Sequence, residues 1–243
     1  KKARTVKQAQ ASGPECKAKL LIEFGSGEVI FEENSREALP PASMVKTMLL
    51  YIVMKKLDEG IVKLEDVITT SAHAAKIGGS QVYLKQGEQF TLEQLFDAVV
   101  VHSSNDASTA IAEHIGGSSE GFVDLMNMEA EALGLKESSF TSPHGLPPAK
   151  GQDPDLASAY DLAQLARVLI QKYPKVLTYS AKPVSYFRDG TFEMINTNKL
   201  VRRFSGCDGL KTGYYGGAGF GVIATAMRNG VRMISVVMGC QNG

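Results

Sequence analysis

The sequence predicts an α+β fold: an antiparallel sheet built from both ends of the chain, flanked by helices, with an all-helical subdomain inserted. Three observations lead there. Residues 17–32 read as a hairpin, residues 61–180 carry mostly helical periodicity, and residues 209–238 return to β-branched strands. The chain has 243 residues, 44% hydrophobic and 21% charged, an ordinary globular composition with room for one large domain. Lys+Arg and Asp+Glu balance at 26 each. That balance argues against non-specific nucleic-acid binding, which needs net or clustered positive charge.

Residues 1–15 are polar, broken by Ser12-Gly13-Pro14, and read as a flexible lead-in to a single domain over 16–243. Strands at 17–24 and 28–32 flank Gly25-Ser26-Gly27, a hairpin signal. Leu39-Pro40-Pro41-Ala42 is a rigid entry to a helix over about 43–59. Its apolar residues nearly encircle it, which marks a core helix, and Gly60 stops it. Thr91 with Gln94 has the form of a capping box, opening a helix to about Val101. Residues 102–106 interrupt the pattern, residues 107–114 resume it, and Gly116-Gly117 closes it. Residues 122–133 and 159–171 are again helical, with a long Pro/Gly loop over 142–155 between them. Strands follow at 209–213, 219–227 and 231–238, the last two joined by Asn229-Gly230, a type I′ hairpin signal.

The longest apolar run, residues 48–54, is far short of the roughly 20 residues that span a bilayer. No secretory leader stands at the front. The 3 cysteines are too few for a disulfide scaffold and, like the 4 histidines, show no metal-ligand spacing. No metal or other cofactor is expected.

Three short motifs carry possible chemistry. Ser43 and Lys46 lie one turn apart at a helix start and share a face. A Ser hydroxyl is a weak nucleophile until a base takes its proton. A Lys flanked by Val45, Met48 and Leu49 supplies that base if burial depresses its pKa. The same pair also fits an N-cap and a snorkelling cation. Ser103-Ser104-Asn105 falls in the break between two helices, where Ser and Asn are common caps. As a site it offers a second hydroxyl to relay a proton and an amide to hold a substrate carbonyl. Lys211-Thr212-Gly213 lies on a strand. It reads either as an edge Lys, a β-favouring Thr and a Gly kink, or as charge and hydroxyl for an anionic group beside an accessible backbone. A second ammonium there also disfavours protonation of Lys46. Each motif occurs once, in this order, on the element that suits it. The conjunction is far more specific than any member, and it is the set used by penicillin-binding proteins and class A β-lactamases.

The chain resembles the low-molecular-mass penicillin-binding proteins that are serine-type D-alanyl-D-alanine carboxypeptidases. Pro41-Ala42-Ser43-Met44-Val45-Lys46-Thr47 is similar to the opening of that family's active-site helix. Ser104-Asn105-Asp106-Ala107 resembles its second motif, Ser142-Pro143-His144-Gly145-Leu146 its Pro-His-Gly-Leu loop, and Asp208-Gly209-Leu210-Lys211-Thr212-Gly213 its third motif. The likeness runs from about Cys16 to the last residue. It implies a β-lactamase/transpeptidase-like fold and an acyl-enzyme on Ser43 that removes the terminal D-Ala of peptidoglycan stem peptides. It also implies covalent inhibition by β-lactams and an extracytoplasmic setting in a bacterium.

Carried over by motif, Ser43 is the nucleophile, Lys46 its general base and Ser103 the proton shuttle. Asn105 binds the substrate amide, Lys211 and Thr212 hold the terminal carboxylate, and Gly213 lets the substrate approach the strand. The backbone N–H groups of Ser43 and Tyr214 form the oxyanion hole. Two departures stand out: Ser104 where the family usually has Gly, and Tyr214 where His is common. The family's C-terminal β-domain, its membrane anchor and a carboxylate-binding Arg after the last strand are not found in these residues. A DD-endopeptidase shares every motif. A class A-like β-lactamase needs a Glu to activate water, and the loop before Ala159 offers only Gly151-Gln152-Asp153-Pro154-Asp155. Three intact motifs argue against a silent peptidoglycan-binding module. If the first and last strands pair antiparallel, as the resemblance implies, Cys16 and Cys240 lie opposite, as a disulfide or as two half-buried thiols.

Overall fold

A computed structural model describes residues 15–243. The lead-in expected over residues 1–15 lies, apart from Glu15, outside the described residues. The elements run β1 (Ala18–Glu23), β2 (Val29–Glu33), α1 (Lys46–Asp58), β3 (Val67–Thr69), β4 (Gln89–Thr91), α2 (Leu92–Asp97), α3 (Asn105–Gly116) and α4 (Ser119–Ala132). They continue with α5 (Ala159–Lys172), α6 (Val176–Ser180), β5 (Val184–Phe187), β6 (Phe192–Ile195), α7 (Leu200–Arg203), β7 (Cys207–Tyr215), β8 (Gly219–Arg228) and β9 (Val231–Cys240).

The two chain ends meet in one antiparallel sheet of order β2-β1-β9-β8-β7. Ala18, Leu20 and Ile22 of β1 pair with Met238, Val236 and Ile234 of β9, and all six are buried. Their spacing of two puts them on one face, against the helices. α5 lies on that face, against β1 and β9, and α1 packs between α5 and the helical side formed by α3 and α4. This explains why α1 is apolar almost all round: every residue from Lys46 to Met54 is buried. Asn229 and Gly230 both take left-handed φ (49° and 78°), as the tight β8–β9 turn requires. The Thr91 capping box forms as expected, with Gln94 N–H on Thr91 Oγ1 and Thr91 N–H on Gln94 Oε1. Cys16 and Cys240 are joined by a disulfide. Among the described residues, no helix is long and apolar enough to cross a membrane.

Four local features differ from the sequence expectation. The helix expected from Ser43 opens as a 3-10 turn over Ala42–Val45, and the α-helix proper begins at Lys46. Pro41 takes the cap position, so Ser43 is not an N-cap and its hydroxyl is left free for other work. The helix expected to reach Val101 ends at Asp97 and continues as a π-turn over Ala98–His102. α3 then begins at Asn105, so the break narrows to Ser103-Ser104, with Ser103 left-handed at φ 65°. The middle of the chain also holds the antiparallel β3–β4 pair, and a hairpin, β5–β6, precedes β7. Their strands are three or four residues long, too short for a period-two signal to show.

Candidate active site

The first two motifs meet at Lys46. Its Nζ lies 2.9 Å from Ser43 Oγ, 2.7 Å from Asn105 Oδ1 and 2.7 Å from the His144 carbonyl oxygen. Asn105 is fixed in orientation because its Nδ2 donates to Gly78 O (2.8 Å) and its backbone N–H to Ser80 O (2.7 Å). Its Oδ1 therefore faces Lys46. Asn105 Oδ1 and His144 O are acceptors only, so each takes an N–H from Lys46. In the neutral amine that uses both hydrogens and leaves the lone pair toward the Ser43 hydroxyl. The site favours that form. Complete burial, and then the charge of Lys211, hold Lys46 well below the usual lysine range, with Asp155 and Asp106 opposing.

The third motif brings a second buried lysine. Lys211 Nζ lies 2.7 Å from Ser103 Oγ and 3.1 Å from Thr212 O. Burial lowers its pKa to about 7. Thr212 Oγ1 pairs with Thr197 Oγ1 at 2.8 Å, and Thr197 is tied to the π-turn by its N–H on Val101 O. Tyr214 is 58% exposed, its ring stacked on Phe220 at the open end of β7. Ser104, where the resemblance leads one to expect Gly, has φ −64° and ψ 123°, a conformation that needs no glycine. Its hydroxyl is buried without a hydrogen-bond partner among the described residues.

Close backbone approaches gather these groups. A Cβ on Gly213 would stand 2.5 Å from Pro41 O and 3.1 Å from Ser43 N, so β7 runs directly beside the turn that carries Ser43. Gly145, at φ +76°, presses on the same turn: its Cβ would stand 2.1 Å from Ala42 O. A Cβ on Gly79 would stand 2.6 Å from Asn105 Nδ2. Asp106 fixes the neighbouring loop by accepting the N–H groups of Val82 (3.3 Å) and Leu84 (3.0 Å). The His144 ring is held down to about 3 by burial and by Lys46, so it is neutral, and its Nδ1 accepts the Leu146 N–H.

Ser43, Lys46 and Asn105 thus form one cluster, Ser103, Lys211 and Thr212 a second, and Gly213 joins them. Sequence reasoning did not assign the His144 carbonyl, Thr197, Gly79 or Gly145 to the site. The Pro-His-Gly-Leu likeness pointed to the loop but not to its carbonyl, and Thr197 has no motif around it. Two cavities of about 640 and 470 Å³ lie at the other end of α1, around Lys56 and Met54–Asp58, and include none of the motif residues.

The chain matches the family described as D-alanyl-D-alanine carboxypeptidase over residues 4–242. It is 42% identical over 228 residues to the D-alanyl-D-alanine carboxypeptidase DacF of Bacillus subtilis, covering 93% of this chain and 57% of that protein. The chain thus spans little more than half the length of this curated relative. A crystal structure of the D-alanyl-D-alanine carboxypeptidase DacD from Francisella tularensis superposes with a TM-score of 0.90 at 27% identity, covering 100% of this chain and 70% of that one. Penicillin-binding protein D2 of Listeria monocytogenes, solved in an ampicillin-bound form, superposes at 0.84 with 28% identity, covering 93% of this chain and 89% of that one.

Proposed function

This chain belongs to the D-alanyl-D-alanine carboxypeptidase family, and from that premise we propose that it is a serine-type peptidase that removes the terminal D-Ala of peptidoglycan stem peptides. The observation that carries the reading is the buried Lys46 amine 2.9 Å from Ser43 Oγ, with both other neighbours of Nζ able only to accept.

In this reading Ser43 Oγ attacks the carbonyl carbon of the last peptide bond while its proton passes to Lys46 Nζ. The developing oxyanion is held by the backbone N–H groups of Ser43 and Tyr214. The closeness of Gly213 to Ser43 N supports that pairing. The proton then reaches the leaving D-Ala amine through the Ser103 hydroxyl. Lys211 and Thr212 bind the terminal carboxylate. Asn105 orients the substrate amide beside Lys46. Water attacks the Ser43 ester in the second half, with Lys46 again the base. A β-lactam follows the same first half and leaves its acyl group on Ser43.

We read residues 16–243 as one catalytic domain, working outside the cytoplasm. The Cys16–Cys240 disulfide supports that setting, because disulfides persist in oxidising compartments. Incubation with a peptide ending in D-Ala-D-Ala tests the activity: stoichiometric release of free D-Ala supports it, and an intact peptide after prolonged incubation refutes it.

A further inference from the structure

Asp155 is a buried carboxylate, 5% exposed, that the steps above do not use. It stands at the end of the long loop, where Leu156 bridges Ser139 and Ala157 bridges Leu39, so its backbone is anchored on both sides. Its Oδ1 accepts the N–H groups of Thr141 (2.7 Å) and Ser142 (3.0 Å). Its Oδ2 lies 2.7 Å from Ser142 Oγ, which in turn accepts the Gly145 N–H at 2.8 Å. The donors run one way. Gly145 N–H occupies a lone pair of Ser142 Oγ, and the Ser142 hydrogen is left to bond Asp155 Oδ2. Ser142 to Gly145 is thereby closed into a tight turn, and Pro143 and His144 lie inside it.

We propose, resting on the carboxypeptidase reading, that Asp155 is a positioning residue for the base: through Ser142 it pins the 142–145 turn so that the His144 carbonyl oxygen stays on Lys46 Nζ and keeps the amine aimed at Ser43. Two features support this. The His144 carbonyl serves both partners, 2.7 Å from Lys46 Nζ and 3.4 Å from Ser43 Oγ, so a shift of the turn misaligns nucleophile and base together. A misplacement of about 1 Å costs on the order of a hundredfold in rate. The carboxylate also acts on Lys46 through its charge, which favours the ammonium form. The other charged or titratable groups facing Lys46 are Lys211 from β7, Asp106 from α3 and His144 from the turn itself. Asp106 is committed to Val82 and Leu84 on another loop. Asp155 is therefore the carboxylate tied to the turn that holds the base. Burial, and then the charge of Asp155, push the Tyr215 hydroxyl up.

The test compares wild type with Asp155→Asn, which keeps the shape and removes the charge. The Lys46 Cε signal is followed by NMR against pH in lysine-labelled protein, assigned by its loss in Lys46→Arg. Acylation by benzylpenicillin is timed in parallel. The proposal expects the Lys46 midpoint to move to lower pH in the variant and acylation to slow roughly tenfold or more. Where Asp155→Asn does not fold, Ser142→Ala, which removes only the linking hydroxyl and keeps the carboxylate charge, should slow acylation in the same direction. Coincident Lys46 midpoints in wild type and Asp155→Asn overturn the proposal whatever the acylation result, and so does an unchanged acylation rate in either variant of an enzyme that does acylate. A wild type that is never acylated refutes the carboxypeptidase reading instead, and the Lys46 midpoint still decides the role of Asp155.

Discussion

Lys211 Nζ and Ser103 Oγ lie 2.7 Å apart, both buried, and join β7 to the turn before α3. The cation assigned to the substrate carboxylate and the hydroxyl assigned to the proton relay are therefore one hydrogen-bonded pair. The charge on Lys211 also bears on Lys46, so the two lysines divide their tasks: one is pushed toward the amine, and the other is left near the middle of its titration at neutral pH.

Removing the base should remove the chemistry. Lys46→Ala should slow acylation by benzylpenicillin by about 10²–10⁴-fold, the usual contribution of general base catalysis. Stopped-flow measurement of the acylation rate checks this. A near-normal rate would show that another group takes the Ser43 proton.

The pH profile of kcat/KM on a D-Ala-D-Ala peptide should be bell-shaped. Lys46 must be unprotonated to act as base, so activity rises with pH through its depressed pKa. Lys211 must be protonated to hold a carboxylate, so activity falls with pH above about 7. Lys211→Arg keeps its charge at all these pH values. In that variant the alkaline limb should disappear; a limb that stays in place assigns it to another group.

Lys211 should cost stability at neutral pH. In the unfolded chain it holds its proton up to about 10.5, and in the folded protein only up to about 7. The unfolded state thus binds more protons between those values, and stability rises with pH across that window. Lys211→Met should flatten the slope and stabilise the fold at pH 7 by roughly 1–4 kcal/mol, as replacement of buried charge by apolar groups often does. Urea unfolding at pH 7 and pH 10 measures both effects, and an unchanged slope contradicts the assignment.

Gly145 should tolerate no side chain. Its φ of +76° disfavours one, and the added Cβ would stand 2.1 Å from Ala42 O. Gly145→Ala should cost roughly 2–5 kcal/mol, read as a lowered Tm, and should displace the turn that carries Ser43. A Tm within a degree of wild type would mean that the turn and the loop are not in contact in solution.

Much of this was legible in the sequence, for physical reasons. Ser43 and Lys46 are one turn apart, and helical geometry alone aligns them. The disposition of strands at both ends and helices between shows in the change of apolar period from two to 3.6 and back. Asn229-Gly230 announces its turn because few other pairs accept two positive φ angles. What stayed hidden is carried by the backbone or by distant contacts. The His144 carbonyl reaches Lys46 across 98 residues, and every residue type has a carbonyl. Thr197 meets Thr212 from an irregular segment with no periodicity. The 3-10 turn at Ala42–Val45 cannot be read from apolar spacing that suits an α-helix equally well. The disulfide depended on strand register, which fixes Cys16 beside Cys240 only once β1 and β9 are paired.

The central claim is that Ser43 is a nucleophile activated by Lys46. Its most direct test is intact-mass spectrometry of the protein after incubation with benzylpenicillin, with peptide mapping and the Ser43→Ala variant alongside. The account predicts a lasting adduct of one penicilloyl group, mapped to Ser43 and missing from the variant. An adduct that persists in Ser43→Ala, or a wild type that neither holds nor consumes the drug, would contradict it.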